Sequence, residues 1–195
     1  TDNLALNLLE IGIKPVDRVV PVLPNVHEFV LLYLALQKIG GIPIAALVTH
    51  RFAEINQFVN LSGATTCVYP ETSGDFAFSP VIDRIQNENP SLKFRIVLGN
   101  PQAGEYSLRE LIDKPASLPA SRLAEIYIDP MAPCIFQLSG GTTGIPKLIP
   151  RTNNDYAYNS KVASEVCDLT AESVLLLVLP IAHNLPLACP GIQGY

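Results

Sequence analysis

Short apolar runs alternate with amphipathic segments along the first half of the chain. This alternation limits the possible folds more than any other feature of the sequence. The apolar runs are four to six residues long and rich in β-branched side chains, which is typical of buried strands. The segments between them carry apolar residues three and four positions apart, which is typical of helices. This order favours right-handed crossovers and a mostly parallel sheet. We therefore predict an α/β fold built from βαβ units.

Caps and glycines indicate where these elements begin and end. The predicted helices cover 3–11, 26–39, 49–61 and 79–88, and the predicted strands cover 18–23, 42–45, 65–69 and 94–98. Small polar residues that can serve as N-caps precede or open the four helices: Asp2, Asn25, Thr49 and Ser79. A glycine follows three of them, at Gly12, Gly40 and Gly63.

The chain from 99 to 133 has a different character, with five prolines and no sustained periodicity. Its only predicted helix is a short one at Ser107–Glu110, marked by a capping box. We interpret 99–133 as a connection between a first βαβ lobe, 1–98, and the start of a second lobe, 134–195. In the second lobe we predict strands at 134–138 and 174–179, an extended stretch at 147–151, and a helix from about Tyr156, capped by Thr152 or Asn153.

Composition excludes several classes of function. The chain has 195 residues, of which 48% are hydrophobic, enough for a sizeable core. No apolar run reaches the roughly 18 residues that a membrane-spanning helix needs, so no membrane partner is predicted. The net charge of −5 and the absence of a basic cluster argue against a nucleic-acid partner. The four cysteines are too widely spaced for a metal site, and we interpret them as reduced thiols of a cytoplasmic protein.

The richest chemical motif is Ser139-Gly-Gly-Thr-Thr-Gly-Ile-Pro-Lys147. Glycines allow a ligand to approach the backbone closely, and hydroxyl and ammonium groups suit phosphate oxygens. A Walker A loop is excluded because Lys147 follows Pro146 rather than glycine. A nucleophile elbow is excluded because position 137 is glutamine. The remaining interpretations are a phosphate-binding loop and a plain glycine- and threonine-rich turn between two strands.

This motif resembles the phosphate-binding signature of the adenylate-forming superfamily of acyl- and aryl-AMP ligases. Two further stretches, 34–43 and 180–187, are similar to the early helix-to-strand motif and the substrate motif of that superfamily. The segments 136–141 and 148–152, with the pair His183-Asn184, are similar to stand-alone aryl acid-AMP ligases of siderophore biosynthesis and nonribosomal peptide synthesis.

The resemblance implies a two-step reaction. An aryl acid such as salicylate or 2,3-dihydroxybenzoate would be activated by ATP to aryl-AMP with release of pyrophosphate. The aryl group would then pass to the pantetheine thiol of an aryl or peptidyl carrier protein. ATP and Mg²⁺ are implied, with the protein ligand of Mg²⁺ outside residues 1–195.

Members of this superfamily are more than twice as long as this chain. We therefore expect residues 1–195 to be an incomplete adenylation domain that is inactive by itself. Two alternatives stay open: an acyl-CoA ligase of the same superfamily, and a truncated, non-catalytic binding module.

The resemblance also implies roles for particular residues. The nucleotide-binding set is Ser139, Gly140, Gly141, Thr142, Thr143, Gly144 and Lys147. The substrate-binding set is His183, Asn184, Leu185 and Cys189. Lys147 and His183 would act in catalysis, and Asn184 would hydrogen-bond the 2-hydroxyl of the aryl ring.

Two residues depart from the pattern of the dihydroxybenzoate ligases. Leu185 stands where those enzymes usually have tyrosine, and Cys189 stands where they have serine. Because cysteine is a weak hydrogen-bonding group, Cys189 favours an acid without a 3-hydroxyl, such as salicylate. Alternatively, His183-Asn184 simply caps the next turn and Cys189 is a buried thiol. We expect the other histidines, His27 and His50, to be surface or capping residues.

Overall fold

The computed structural model describes residues 1–139 and 146–189. The helices in this part of the chain are α1 (Asp2–Glu10), α2 (His27–Ile39), α3 (Phe52–Ser62), α4 (Ser79–Glu88), α5 (Leu108–Asp113), α6 (Ser121–Ala124), α7 (Asn153–Val166) and α8 (Asn184–Ala188). The strands are β1 (Arg18–Pro21), β2 (Ile42–Pro43), β3 (Thr66–Pro70), β4 (Thr72–Ser73), β5 (Phe76–Ala77), β6 (Phe94–Leu98), β7 (Tyr106–Ser107), β8 (Pro133–Leu138) and β9 (Leu148–Thr152).

Five of these strands form a parallel sheet in the order β2-β1-β3-β6-β7. The predicted α/β fold with a mostly parallel sheet is confirmed. The strands β8 and β9 pair as an antiparallel hairpin. That hairpin continues the sheet, because Ile44 and Phe136 form a parallel bridge and the Ala45 amide donates to the Phe136 carbonyl at 2.9 Å.

The two faces of the sheet are covered by different helices. Side chains at alternate positions of β1, such as Val19 and Val20, belong to separate buried clusters. The cluster containing Val19 includes residues of α1 and α2, and the cluster containing Val20 includes residues of α3 and α4. This alternation is the two-residue period of a strand buried on both faces.

The predicted glycine stops are confirmed at two helices. Gly40 and Gly63 follow α2 and α3 with φ of 68° and 61°, a left-handed conformation that glycine adopts without steric cost.

The predicted helix starts were less accurate. Asn25 is not the N-cap of α2, because Val26 holds that position and the Asn25 side chain bonds a distant segment. Thr49 does not open α3, which begins at Phe52 after a turn closed by His50. Ser79 is the first residue of α4, so the predicted bounds 79–88 are confirmed, but Phe78 rather than Ser79 is the N-cap. At Asn25 the local capping preference yields to a tertiary contact.

The first and seventh helices also start one to three residues earlier than predicted. Asp2 is the first residue of α1 and pairs with Lys38 at 3.0 Å, so it is not the cap. The helix α7 begins at Asn153 instead of about Tyr156, and the expected cap Thr152 is confirmed: its Oγ1 accepts from the Asp155 amide at 3.1 Å.

The segment 99–133 packs against the first helix. The side-chain Nδ2 of Asn7 donates to the backbone carbonyls of Leu111 and Lys114 at 2.8 and 2.7 Å. The predicted Ser107 cap is confirmed, since its hydroxyl accepts from the Glu110 amide at 3.3 Å, although the helix it starts continues to Asp113. The division of the chain into two lobes and a connection stays a prediction.

The predicted strand at 174–179 is wrong. These residues form no strand, and no described strand pairs with them. Val174, Leu176 and Val178 are 97%, 82% and 78% exposed. A strand is stabilised by hydrogen bonds to a neighbour, so apolar composition alone does not produce one.

We expect this apolar run to bind a hydrophobic dye. Replacing Val174, Leu176 and Val178 together with threonine removes exposed apolar area without opening a cavity. The variant of residues 1–195 should bind less 8-anilinonaphthalene-1-sulfonate, while its free energy of unfolding changes by no more than about 0.5 kcal/mol per substitution.

Leu177 provides the matched control, because it packs against the core. Threonine at position 177 should lower the free energy of unfolding instead. Unchanged dye fluorescence in the triple variant would show that the run does not bind the dye.

Candidate functional site

A cavity of about 400 Å³ lies where the chain leaves β2 and β8. Since β2 and β8 run parallel, their carboxyl ends meet at the same edge, the place where α/β sheets bind ligands. The third wall is the segment 182–184. The lining residues are Ala45, Leu47, His50, Gln137, Leu138, Ser139, Pro146, Ala182, His183 and Asn184.

The base of the glycine-rich loop is closed by two hydrogen bonds. The Ser139 amide donates to the Lys147 carbonyl at 3.0 Å, and the Lys147 amide donates to Ser139 Oγ at 2.9 Å. Because Ser139 Oγ accepts this bond, its own proton stays available for a ligand oxygen. The Lys147 side chain is exposed and has no partner among residues 1–139 and 146–189.

Five residues of the predicted nucleotide-binding set, Gly140, Gly141, Thr142, Thr143 and Gly144, lie outside the described residues.

A chain of hydrogen bonds orients the Asn184 amide. Gln137 Nε2 donates to Tyr156 Oη at 2.7 Å, and Tyr156 Oη donates to Asn184 Oδ1 at 2.9 Å. Tyr156 is fully buried, and this burial raises the pKa of its phenol, so the phenol keeps its proton. With Oδ1 occupied, Asn184 presents its NH₂ group as a hydrogen-bond donor.

His183 has a structural contact as well as a position on the cavity wall. It is the N-cap of α8, and its Nδ1 accepts from the Leu185 amide at 3.4 Å. The ring is exposed. Capping and ligand contact are therefore compatible at this residue.

Leu185 and Cys189 lie apart from His183 and Asn184. They line a second depression, of about 210 Å³, together with the apolar run 175–179. Successive residues of a helix point about 100° apart, so neighbours on α8 face different cavities. Cys189 Sγ accepts a hydrogen bond from Asn159 Nδ2 at 3.0 Å.

Asn25 is a site-building residue that the sequence did not reveal. Its Nδ2 donates to the Leu179 carbonyl at 2.8 Å, and its Oδ1 accepts from the Ile181 amide at 2.7 Å. The two bonds hold the segment that leads into His183 and Asn184. No local signal could identify this role, because the partners are 154 and 156 residues away.

His50 is the second residue whose position was missed. Its side chain closes its own turn, since Nδ1 accepts from the Leu47 amide at 2.9 Å, but Arg51 rather than His50 is the N-cap of α3. The ring also lines the cavity, a position that was not predicted for it. Its position in the loop after a parallel strand could have indicated a place at the ligand site, because such loops form ligand sites. The other histidine, His27, is exposed beside Glu28 at 3.3 Å.

The described residues form neither a metal site nor a membrane-spanning helix. Among residues 1–139 and 146–189, no group of three or more histidine, cysteine, aspartate or glutamate side chains could hold a metal ion. No helix of the same ranges is long and apolar enough to cross a membrane.

The family model described as AMP-binding enzyme matches residues 1–191. This chain belongs to that family. The sequence is 38% identical to a salicyl-AMP ligase / salicyl-S-ArCP synthetase from Mycobacterium tuberculosis, with 99% of this chain and 33% of the relative covered. It is also 38% identical to a salicylyl-CoA synthase / salicylate adenylyltransferase from Streptomyces, with 99% and 35% covered.

The structure is similar to one that has been solved experimentally. The apo structure of MbtA from Mycobacterium smegmatis superposes with a TM-score of 0.88 at 39% identity. The match covers 99% of this chain and 35% of that chain. The chain therefore spans about a third of the length of these AMP-binding relatives.

We expect Asn25 to control the order of the segment before His183. In Asn25→Ala both bonds are lost, at a cost of about 1 kcal/mol each, and the Ile181 amide should exchange with solvent about 30-fold faster. Asn25→Asp keeps the acceptor for the Ile181 amide and should preserve its protection. Hydrogen exchange followed by NMR measures both, and equal exchange in the wild type and Asn25→Ala would contradict this role.

Proposed function

We propose that this chain is part of an aryl acid-AMP ligase that activates salicylate or a related 2-hydroxy aryl acid with ATP. The observation that supports this most directly is the shared cavity. It combines Ser139 at the base of the glycine-rich loop with the donor group of Asn184. One partner suits a phosphate and the other suits a hydroxylated acid.

The proposed reaction does not require the protein to remove a proton from the acid. A carboxylic acid with a pKa of about 4 is already ionised at neutral pH, so no general base is needed. A carboxylate oxygen forms a bond to the α-phosphorus, and the bond from that phosphorus to the bridging oxygen breaks as pyrophosphate leaves. The protein must align two anions and stabilise the negative charge that develops during transfer.

The glycine-rich loop would supply this stabilisation. We propose that Ser139, Gly140, Gly141, Thr142, Thr143 and Gly144 bind the ATP phosphates through hydroxyl and backbone N–H groups. The Ser139 hydroxyl proton and the Lys147 ammonium, neither of which has a partner among residues 1–139 and 146–189, agree with this role. Mg²⁺, when bound, would neutralise phosphate charge, and we propose that its protein ligand lies outside residues 1–195.

The acid would bind on the side of His183 and Asn184. In salicylate the 2-hydroxyl donates to its own carboxylate, which leaves the hydroxyl oxygen as an acceptor. The oriented NH₂ group of Asn184 matches that acceptor. We propose His183 as the catalytic residue beside the carboxylate, where its exposed ring borders the cavity.

Leu185 and Cys189 complete the proposed substrate set. We propose that Cys189 disfavours a 3-hydroxyl because its sulfur is a weak hydrogen-bonding group, which gives salicylate preference over 2,3-dihydroxybenzoate. Leu185 would add apolar surface to the depression that it lines together with Cys189, which is separate from the cavity lined by His183 and Asn184.

A carrier protein is the proposed acceptor of the aryl group, in keeping with the name of the mycobacterial relative. The name of the Streptomyces relative supports a second candidate, transfer to coenzyme A. The two acceptors can be distinguished by testing whether release of the product depends on the carrier protein or on coenzyme A. We propose a cytoplasmic location on the basis of the ATP requirement and the four free cysteines.

We expect Lys147→Ala, in the complete protein that carries this chain, to impair adenylation selectively. Loss of one charged donor at a phosphate should cost about 2.7–4 kcal/mol of transition-state stabilisation, a decrease of about 10²- to 10³-fold. Salicylate-dependent ATP–pyrophosphate exchange measures this step. Lys93→Ala is the control, because Lys93 is exposed at the amino end of β6, the opposite edge of the sheet.

Transfer of the aryl group from pre-formed aryl-AMP should change much less in Lys147→Ala. An equal loss in both half-reactions would show that the loop has a structural role only.

We expect Asn184 to discriminate salicylate from benzoate. Bound benzoate would cover the Asn184 donor without pairing it, at a cost of about 1–3 kcal/mol, so kcat/KM should favour salicylate by about 5- to 150-fold. Asn184→Ala should remove most of this ratio. Tyr156→Phe should reduce it in part, because the amide loses the bond that orients it.

The control for this experiment is Asn154→Ala, an exposed asparagine on α7. The same measurements with 2,3-dihydroxybenzoate and Cys189→Ser test the second specificity residue. An unchanged salicylate-to-benzoate ratio in Asn184→Ala would show that Asn184 does not contact the substrate. A wild-type preference for 2,3-dihydroxybenzoate would contradict the proposed role of Cys189.

A further inference from the structure

His50 lies on the cavity wall without an assigned role in the proposed reaction. It follows β2 in the loop at the carboxyl end of the sheet. The same cavity is lined by Ser139 on the phosphate side and by His183 and Asn184 on the acid side. A polar group here can reach the space between the two proposed reactants.

The contacts of the ring determine which nitrogen carries the proton. His50 Nδ1 accepts from the Leu47 amide at 2.9 Å, so the neutral ring has its proton on Nε2. Within residues 1–139 and 146–189, no protein group forms a hydrogen bond with Nε2. An N–H donor is therefore available on a half-buried ring that borders the cavity.

The surroundings hold this donor in a fixed orientation. The ring packs edge-on against Phe58, with centroids 5.1 Å apart and planes at 72°. Arg51 Nη1 donates to the carbonyls of Val48 and His50, and the Arg51 amide donates to Glu54. The turn that carries His50 is thus tied to the start of α3, and such preorganisation makes a donor effective at a developing charge.

The ring is neutral at physiological pH. Burial lowers the pKa of His50, and the nearby Arg51 acts in the same direction, while the Glu54 carboxylate opposes them. Arg51 and Glu54 are the charged groups beside the ring, and the exposed His183 ring borders the same cavity. A neutral histidine can donate from Nε2 without giving up its contact with Leu47.

We propose that His50 donates a hydrogen bond from Nε2 to an anionic oxygen of the reacting pair. This inference rests on the proposed function. The oxygen belongs to the aryl carboxylate or to an ATP phosphate, which share the chemistry of a strong anionic acceptor. His50 would then be a ligand-contacting residue in addition to the cap of its own turn.

Two substitutions separate the ligand contact from the cap. In His50→Asn the side-chain Oδ1 takes the place of Nδ1, so the bond from the Leu47 amide is kept and the cavity donor is lost. In His50→Gln an amide N–H reaches the place of Nε2. The experiment uses the complete protein, with ATP–pyrophosphate exchange, calorimetric titration of ATP and of salicylate, and the melting temperature.

We expect His50→Asn to lower kcat/KM for exchange by about 10- to 100-fold, with a melting temperature close to that of the wild type. His50→Gln should recover most of the loss. If KM and Kd for ATP rise in His50→Asn, the bond is made to a phosphate. If KM and Kd for salicylate rise instead, the bond is made to the carboxylate.

Wild-type activity in His50→Asn would overturn the inference, and so would an equal loss in the two variants. If the wild type shows no exchange, the proposed function fails. The titrations then still decide the role of His50: weaker binding in His50→Asn alone supports it, and unchanged binding or no wild-type binding overturns it.

Discussion

The hydrogen bond from the Ala45 amide to the Phe136 carbonyl joins two parts of the chain that are far apart in sequence. It places β8 parallel to β2, so that the loops after both strands leave the sheet at the same edge. The cavity, the base of the glycine-rich loop and the turn of His50 all depend on this arrangement. Without it, the polar residues after each strand would not share one space.

Two pairs of hydrogen bonds complete the site around that edge. Asn25 holds the backbone before His183 through a donor and an acceptor of the same amide. Gln137 and Tyr156 orient the Asn184 amide from the other side. Buried polar groups must find partners, and here their pairing determines which hydrogen-bonding groups face a ligand. Orientation of hydrogen bonds therefore contributes to specificity as much as shape does.

Much of the fold could be predicted from local patterns. The alternation of apolar runs and amphipathic segments indicated a parallel sheet, and Gly40 and Gly63 marked the ends of two helices. The starts of helices were harder to predict. Asn25 and Thr49 have side chains that often cap helices, but neither residue is a cap in the folded chain. The prediction of a strand at 174–179 is wrong, because a strand depends on hydrogen bonds to a neighbouring strand as well as on composition.

By itself, the sequence determined the alternating elements, the glycine-rich motif ending at Lys147 and the family to which the chain belongs, because these depend on residue type and spacing. Only the tertiary structure decided that His50 shares a cavity with Asn184, that Asn25 holds a segment more than 150 residues away, and that Leu185 and Cys189 face a different depression. These relations are set by packing and hydrogen bonds between residues distant in sequence, and local preference carries no information about them.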